Sequence, residues 1–82
     1  MTIPARVDAL GRHRDALGAL LDEIARDRAT HDLDREFLSD LRRIEQHVRV
    51  AHGLSQTAIN HAMRQILEHA QEQASHNLQV DR

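Results

Sequence analysis

The side chains that could do chemistry in this chain are few. Its 82 residues contain no Cys, which excludes disulfides, thiolate metal sites and a cysteine nucleophile. Ser39, Ser55 and Ser75 lie in no nucleophilic-serine pattern, and Ser55 is better placed to cap a helix. The three Gly residues form no phosphate-binding loop. Because no catalytic constellation is recognisable, we expect a non-enzymatic protein that needs no cofactor.

The chain contains seven His residues, and His is a common metal ligand. His69, Glu72 and His76 are three and four residues apart, so they share one face of a helix and are candidates to bind a divalent metal. Three ligands on a single solvated helix make a weak site, and no second cluster completes the coordination shell. We therefore predict no metal and treat these residues as weak candidates only.

Apolar residues recur at helical spacing throughout, and no segment alternates as a strand does, so we predict an all-α fold. Thr2 is placed as an N-cap with Pro4 in the first turn, which predicts a first helix over residues 3–28. This helix carries a heptad stripe, and we assign its members Val7, Leu10, Leu17, Leu21 and Ile24, together with part of the third helix, to a dimer interface. Arg14 sits in its seam, where it either fixes the register or extends past the stripe into water. The stripe consists of Ile3, Val7, Leu10, Leu17, Leu21 and Ile24.

The second and third helices are predicted over residues 33–52 and 56–77. Thr30 or Asp32 could cap the second helix, although a bend in one long helix is an alternative to a break there. Gly53 is suited to a left-handed turn, and Ser55 to an N-cap after it. These features predict a single domain over residues 1–82, in which a helical hairpin and a third helix form a small three-helix protein.

The core and the charge limit the possible partners. A core this small supplies only about 3–5 kcal/mol without a disulfide or metal, which favours a dimeric helical bundle. The formal charge of -2 argues against a general polyanion binder. The longest apolar runs are two or three residues, and the N-terminus lacks the pattern of a signal peptide. We therefore expect a cytoplasmic protein with no membrane partner.

The segment from Leu54 to Ile66 resembles the recognition helix of helix-turn-helix regulators. Its Ser-Gln start, its Ala and aliphatic positions and its later Arg carry the resemblance, which implies that Gly53 supplies the turn. Gln and Asn suit adenine edges, and Arg suits guanine or phosphate. The resemblance implies DNA contacts by Gln56, Thr57, Asn60, His61 and Arg64, with Arg42 and Arg43 nearby.

A second resemblance is to AroQ-type chorismate mutases, which are small helical proteins forming interlaced dimers. It rests on Asp32 to Glu36, on Gly53-Leu54, and on Ile66 to Ala70 with Gln73. The resemblance implies that Arg28, Arg35 and Glu36 would bind and orient a dicarboxylate substrate. The chain has no Lys, which that family uses for substrate binding.

The function that we predict is a small helical interaction or regulatory protein, acting through homodimerisation and a protein partner. A helix-turn-helix regulator that reads DNA with residues 56–72 is the alternative, and an AroQ-like mutase is the third possibility.

Overall fold

The computed structural model describes residues 1–31 and 34–80, with side chains described as far as residue 76, and this part of the chain forms two helices. Helix α1 spans Ile3–Thr30 and helix α2 spans Arg35–Val80. Arg28 near the end of α1 contacts Glu45, while Arg14 contacts Gln56, so the two helices run antiparallel. The all-α prediction is confirmed, but the prediction of three helices is wrong.

Helix α1 begins where its sequence predicts. The Thr2 hydroxyl accepts a hydrogen bond from the Ala5 N–H at 3.2 Å, and Pro4 lies in the first turn, where its missing N–H costs nothing. The helix ends at Thr30, two residues later than predicted, and the Thr30 hydroxyl donates to the Arg26 carbonyl at 2.9 Å. Thr30 therefore belongs to α1 and does not cap the second helix.

Helix α1 ends at Thr30 and α2 begins at Arg35, which decides between the break and the bend in favour of a break. The Asp34 carboxylate accepts a hydrogen bond from the Phe37 N–H at 3.0 Å, the geometry of a helix N-cap. The Phe37 ring meets the His31 ring edge-on, with centroids 5.2 Å apart. Asp32, the other predicted cap, and Leu33 lie outside the described residues.

Helix α2 passes through Gly53 without interruption, so the predicted turn at this residue is wrong. Gly53 has no positive φ. Ser55 and Thr57 donate their hydroxyls to carbonyls one turn back, at Ala51 and Gly53, as side chains inside a helix do. A glycine inside a helix costs only about 1 kcal/mol, which the packing of α2 on either side of it outweighs.

Gly53→Ala is expected to raise the free energy of unfolding by about 0.5–1 kcal/mol, because Ala favours the helix and restricts the unfolded chain. A Cβ at this position would meet nothing within 4 Å. Urea denaturation followed by circular dichroism measures the change. Gly11→Ala is the matched control, since its Cβ is equally unhindered on α1 and should stabilise similarly. If Gly53→Ala destabilised the protein and Gly11→Ala did not, the result would support the turn predicted at Gly53.

The core lies along the contact between the helices. Ile24, Leu41 and Val48 are buried together, and Leu17, Leu21 and Phe37 pack against them. Ile59 and Ala62 continue the buried line further along α2. The α1 stripe that we assigned to a dimer interface therefore packs inside the chain, with Val7 and Leu10 half-buried on the same face. A heptad pattern specifies that a helix has a partner but not whether that partner is in the same chain.

The hairpin is elongated, measuring 74 × 18 × 15 Å, with a radius of gyration of 20.2 Å. A compact chain of this length would have a radius of gyration of about 12 Å. Helix α2 has 46 residues and α1 has 28, so α2 continues past the start of α1. We call residues 68–80 the overhang, and its side chains through residue 76 are exposed. Neither of the described helices combines the length and apolar character that crossing a bilayer requires.

Candidate functional site

One edge of the helix–helix contact is bridged by polar side chains, and we call it the polar edge. Arg28 Nη1 of α1 lies 2.7 Å from Glu45 Oε2, and Arg49 Nη2 lies 2.8 Å from the other carboxylate oxygen of Glu45. The Glu45 side chain is 14% exposed, so both guanidinium groups approach a largely covered carboxylate. Hydrogen bonding from Arg49, together with the charges of both Arg residues, lowers the pKa of Glu45 below its ordinary value.

Glu45→Gln is expected to lower stability at neutral pH and to have little effect in acid. Because the pKa of Glu45 is lowered in the folded state, its contribution is complete above the unfolded value of about 4.3 and disappears as pH falls through the folded value. Thermal unfolding curves of wild type and variant should therefore converge as the solution is acidified. Glu68→Gln, on the exposed overhang, is the control. A difference independent of pH would contradict the ion-pair account.

A second polar network on the same edge links Arg14 of α1 to α2. Arg14 Nη1 donates to Gln56 Oε1 at 3.0 Å, and Gln56 Nε2 donates to Asn60 Oδ1 at 2.9 Å. Arg14 also pairs with Asp15, and its side chain is 33% exposed. Of the two interpretations of Arg14, the interhelical hydrogen bond favours the one in which it fixes the register of a helix pair, here α1 on α2 within one chain.

The opposite edge is apolar and open, and we call it the apolar edge. A groove of about 370 Å³ runs between the helices, lined by Leu17, Arg43, Ile44, His47, Val48 and Ala51. Ile44 is 50% exposed, Leu54 64% and Val50 63%. Leu20 of α1 is also an exposed apolar residue, and it lies on the side of α1 away from Gly18, which faces His52. His52 is seven residues after Glu45 and therefore lies on the same side of α2 as the polar edge. We include Leu17, Leu20, Ile44, His47, Ala51 and Leu54 in the apolar edge.

The sequence contains a signal for the apolar edge, which the break predicted at Gly53 obscured. Ile44, His47, Ala51, Leu54 and Ala58 follow one another at spacings of three, four, three and four, the spacing of a heptad seam. The break expected at Gly53 divided that series between two helices. Once α2 is continuous, the five residues form a second seam beside the one that packs on α1, which has its buried members at Leu41, Val48, Ile59 and Ala62.

The residues that the helix-turn-helix resemblance implies are not presented as a recognition helix. The two helices and intervening turn that the motif needs are absent, since residues 35–80 form one helix. Gln56 is half-buried and bonded to Arg14, and Thr57 bonds to Gly53. The remaining residues, Asn60, His61, Arg64, Arg42 and Arg43, are exposed, and Arg43 also lines the groove of the apolar edge.

The residues that the AroQ resemblance implies are not gathered around a cavity. Arg28 is paired with Glu45, while Arg35 and Glu36 are exposed in the first turn of α2. Arg28 does line a groove of about 450 Å³ with Arg42, but Ala25, Ala29 and Leu38 complete its walls. Within the described residues no charged side chain is buried, so the enclosed cationic pocket that a dicarboxylate would require is missing there.

The weak metal candidates lie on the overhang. His69, Glu72 and His76 are all exposed, and no group of three such side chains within the described residues is arranged to hold a metal. The concavity beside them is lined by residues of α2 alone, so it is a space between solvated side chains. Its lining residues are Glu68, Gln71, Glu72, Ser75 and His76.

No protein-family model, curated protein or solved structure gives a significant match to this chain.

Proposed function

We propose that this protein is a small helical interaction protein that acts as a homodimer, with the apolar edge as the surface that binds the second copy. The observation that carries the proposal is the exposure of Ile44 and Leu54, 50% and 64%, in the heptad-spaced seam of α2 beside Leu17 and Leu20 of α1. Because Ile44 and Leu54 are not covered within the hairpin, binding an apolar partner would remove them from water.

The surface area of the chain favours a partner of substantial size. The accessible surface is 6663 Å². A compact monomer of this mass exposes only about 5,000 Å², so the hairpin carries roughly 1,600 Å² more. The exposed overhang accounts for part of this excess. A standard-size interface buries about 800 Å² on each partner, which is about half of the excess. The hairpin therefore exposes enough surface for a stable dimer.

The composition of the apolar edge favours a second copy of this chain. Arg43 and His47 are the only side chains lining the groove that can carry charge, and neither is acidic. An apolar surface with few charges is self-complementary, as a two-fold interface requires. The dimer would also add the second layer of helices that the thin core of Ile24, Leu41 and Val48 does not supply.

The proposal is tested by sedimentation equilibrium of the wild-type chain and of Leu54→Asp. Wild type is expected to sediment as a dimer at micromolar concentration. Leu54→Asp places a charge in the interface twice, once from each copy, and should weaken association by at least about 100-fold. Circular dichroism should show that the variant keeps its helices, because Leu54 is 64% exposed in the hairpin.

Leu67→Asp is the matched control, since Leu67 is 59% exposed on the same helix but lies outside the seam. It should leave the dimer intact. A wild-type chain that remains monomeric at high concentration would refute the proposal, and equal weakening by both variants would place the interface elsewhere. Binding of a further protein partner, as a regulatory role would require, remains a prediction from the sequence.

A further inference from the structure

We infer that the two copies pair through α2 in antiparallel orientation, with the two-fold axis at the level of residue 49. This inference rests on the proposed homodimer and specifies how its surface is used. It follows from the order of large and small residues along the seam, from the exposed residue beside the seam, and from the position of His47.

The seam residues fit an antiparallel pair of helices layer by layer. The seam has two kinds of heptad position: Ile44, Ala51 and Ala58 occupy one, and His47 and Leu54 occupy the other. In an antiparallel pair, a residue of one kind faces a residue of the other kind in the partner. With the axis at residue 49, Ile44 faces the partner's Leu54, and His47 faces the partner's Ala51. The same alignment places Asp40 opposite the partner's Ala58. Each long side chain near the axis then meets either a matching aliphatic residue or a small one.

Size complementarity favours this alignment. Ile44 and Leu54, which are 50% and 64% exposed, form the two outer layers and supply most of the buried apolar area. The inner layers pair His47 with the short side chain of Ala51, which leaves room for an imidazole ring. His47 Nδ1 lies 2.9 Å from the Arg43 carbonyl oxygen, so this ring nitrogen is already bonded within the helix.

A parallel alignment would be poorer for the same residues. Identical seam positions would face each other, so His47 would meet His47 and Ala51 would meet Ala51. Two imidazoles would then have to share one layer, while the next layer, with two short Ala side chains, would be underfilled. The parallel dipoles of the two α2 helices would also be aligned side by side rather than opposed.

The antiparallel alignment also accounts for Val50. Val50 is 63% exposed and lies beside the seam, three residues after His47. With the axis at residue 49, the Val50 side chains of the two copies meet each other near the two-fold axis. Arg43, on the same flank, then lies near the partner's Thr57 and opposes no cation. The alignment therefore gives both Val50 and Arg43 a neighbour in the partner.

Disulfide cross-linking tests the orientation, and the absence of native Cys makes single-Cys variants unambiguous. In the antiparallel dimer the two residues 44 are about 15 Å apart along the axis, whereas a disulfide needs Cα atoms within about 7 Å. Ile44→Cys alone should therefore give little cross-linked product. A mixture of Ile44→Cys and Leu54→Cys should give mainly the mixed disulfide, and Val50→Cys should cross-link with itself.

Leu67→Cys, outside the seam, is the control and should not cross-link under the same mild oxidation. Efficient self-linking of Ile44→Cys would overturn the inference in favour of a parallel dimer. Absence of every seam disulfide in a chain that still sediments as a dimer would also overturn it, because the interface would then be another face. If the uncross-linked wild-type chain is monomeric, the proposed homodimer itself fails, so the two failures are distinguishable.

Discussion

Ala62→Asp is expected to unfold most of the hairpin at room temperature. Ala62 is 1% exposed, which makes it the most deeply buried of the core residues. An Asp there would bring an unpaired carboxylate into the contact between the helices, at a cost of several kcal/mol. A small domain has little stability in reserve, so one such cost can exceed it. Circular dichroism at 222 nm should show a large loss of helical signal.

Ala70→Asp is the matched control for this variant. It makes the same change on the same helix, but Ala70 is exposed on the overhang. Its effect on the free energy of unfolding should be within about 0.5 kcal/mol, as for most surface substitutions. If Ala62→Asp were tolerated as well as Ala70→Asp, α2 would not pack on α1 through this face.

Ile24→Ala is expected to lower the free energy of unfolding by about 2–5 kcal/mol, since it deletes buried methyl groups and leaves a cavity. Ile24 is 3% exposed and belongs to the cluster that Leu41 and Val48 complete. Chemical denaturation should therefore show a lower midpoint with an unchanged slope. The change also tests the assignment of the α1 stripe to the hairpin core.

Leu67→Ala is the comparison for Ile24→Ala. It also shortens an aliphatic side chain to Ala, but Leu67 is 59% exposed. The expected loss is below about 1 kcal/mol, because little area is removed from contact. If the effect of Ile24→Ala were instead strongly dependent on protein concentration, with a small loss in the monomer, Ile24 would lie in a subunit interface as first predicted.

Local signals in the sequence were sufficient for part of the fold. The Thr2 cap and Pro4 predict the start of α1, and the periodicity predicts an all-α chain, because capping and amphipathic spacing act over one or two turns. The cap of α2 was placed less well: Asp34 occupies it, whereas Thr30 and Asp32 were the predicted candidates. Several residues of similar capping ability stand close together there, and sequence alone does not rank them.

The error at Gly53 had the largest consequence for the predicted site. Gly53, Leu54 and Ser55 together match a helix end followed by a helix start, and every one of those signals is local. Their combined preference is about 1 kcal/mol, less than the packing that a continuous α2 gains by keeping Val48 and Ile59 on one face against α1. The predicted break divided the second seam between two helices, so the seam was not recognised. It also supplied the turn on which the DNA-binding alternative depended.

The sequence by itself determined that this chain is helical and where its first helix begins. Only the tertiary structure decided which stripes pack together. Leu17, Leu21 and Ile24 pack on α2, while Ile44 and Leu54 remain exposed. The physical reason is that helix formation depends on neighbours within a turn, whereas the pairing of stripes depends on residues such as Arg14 and Gln56, 42 positions apart.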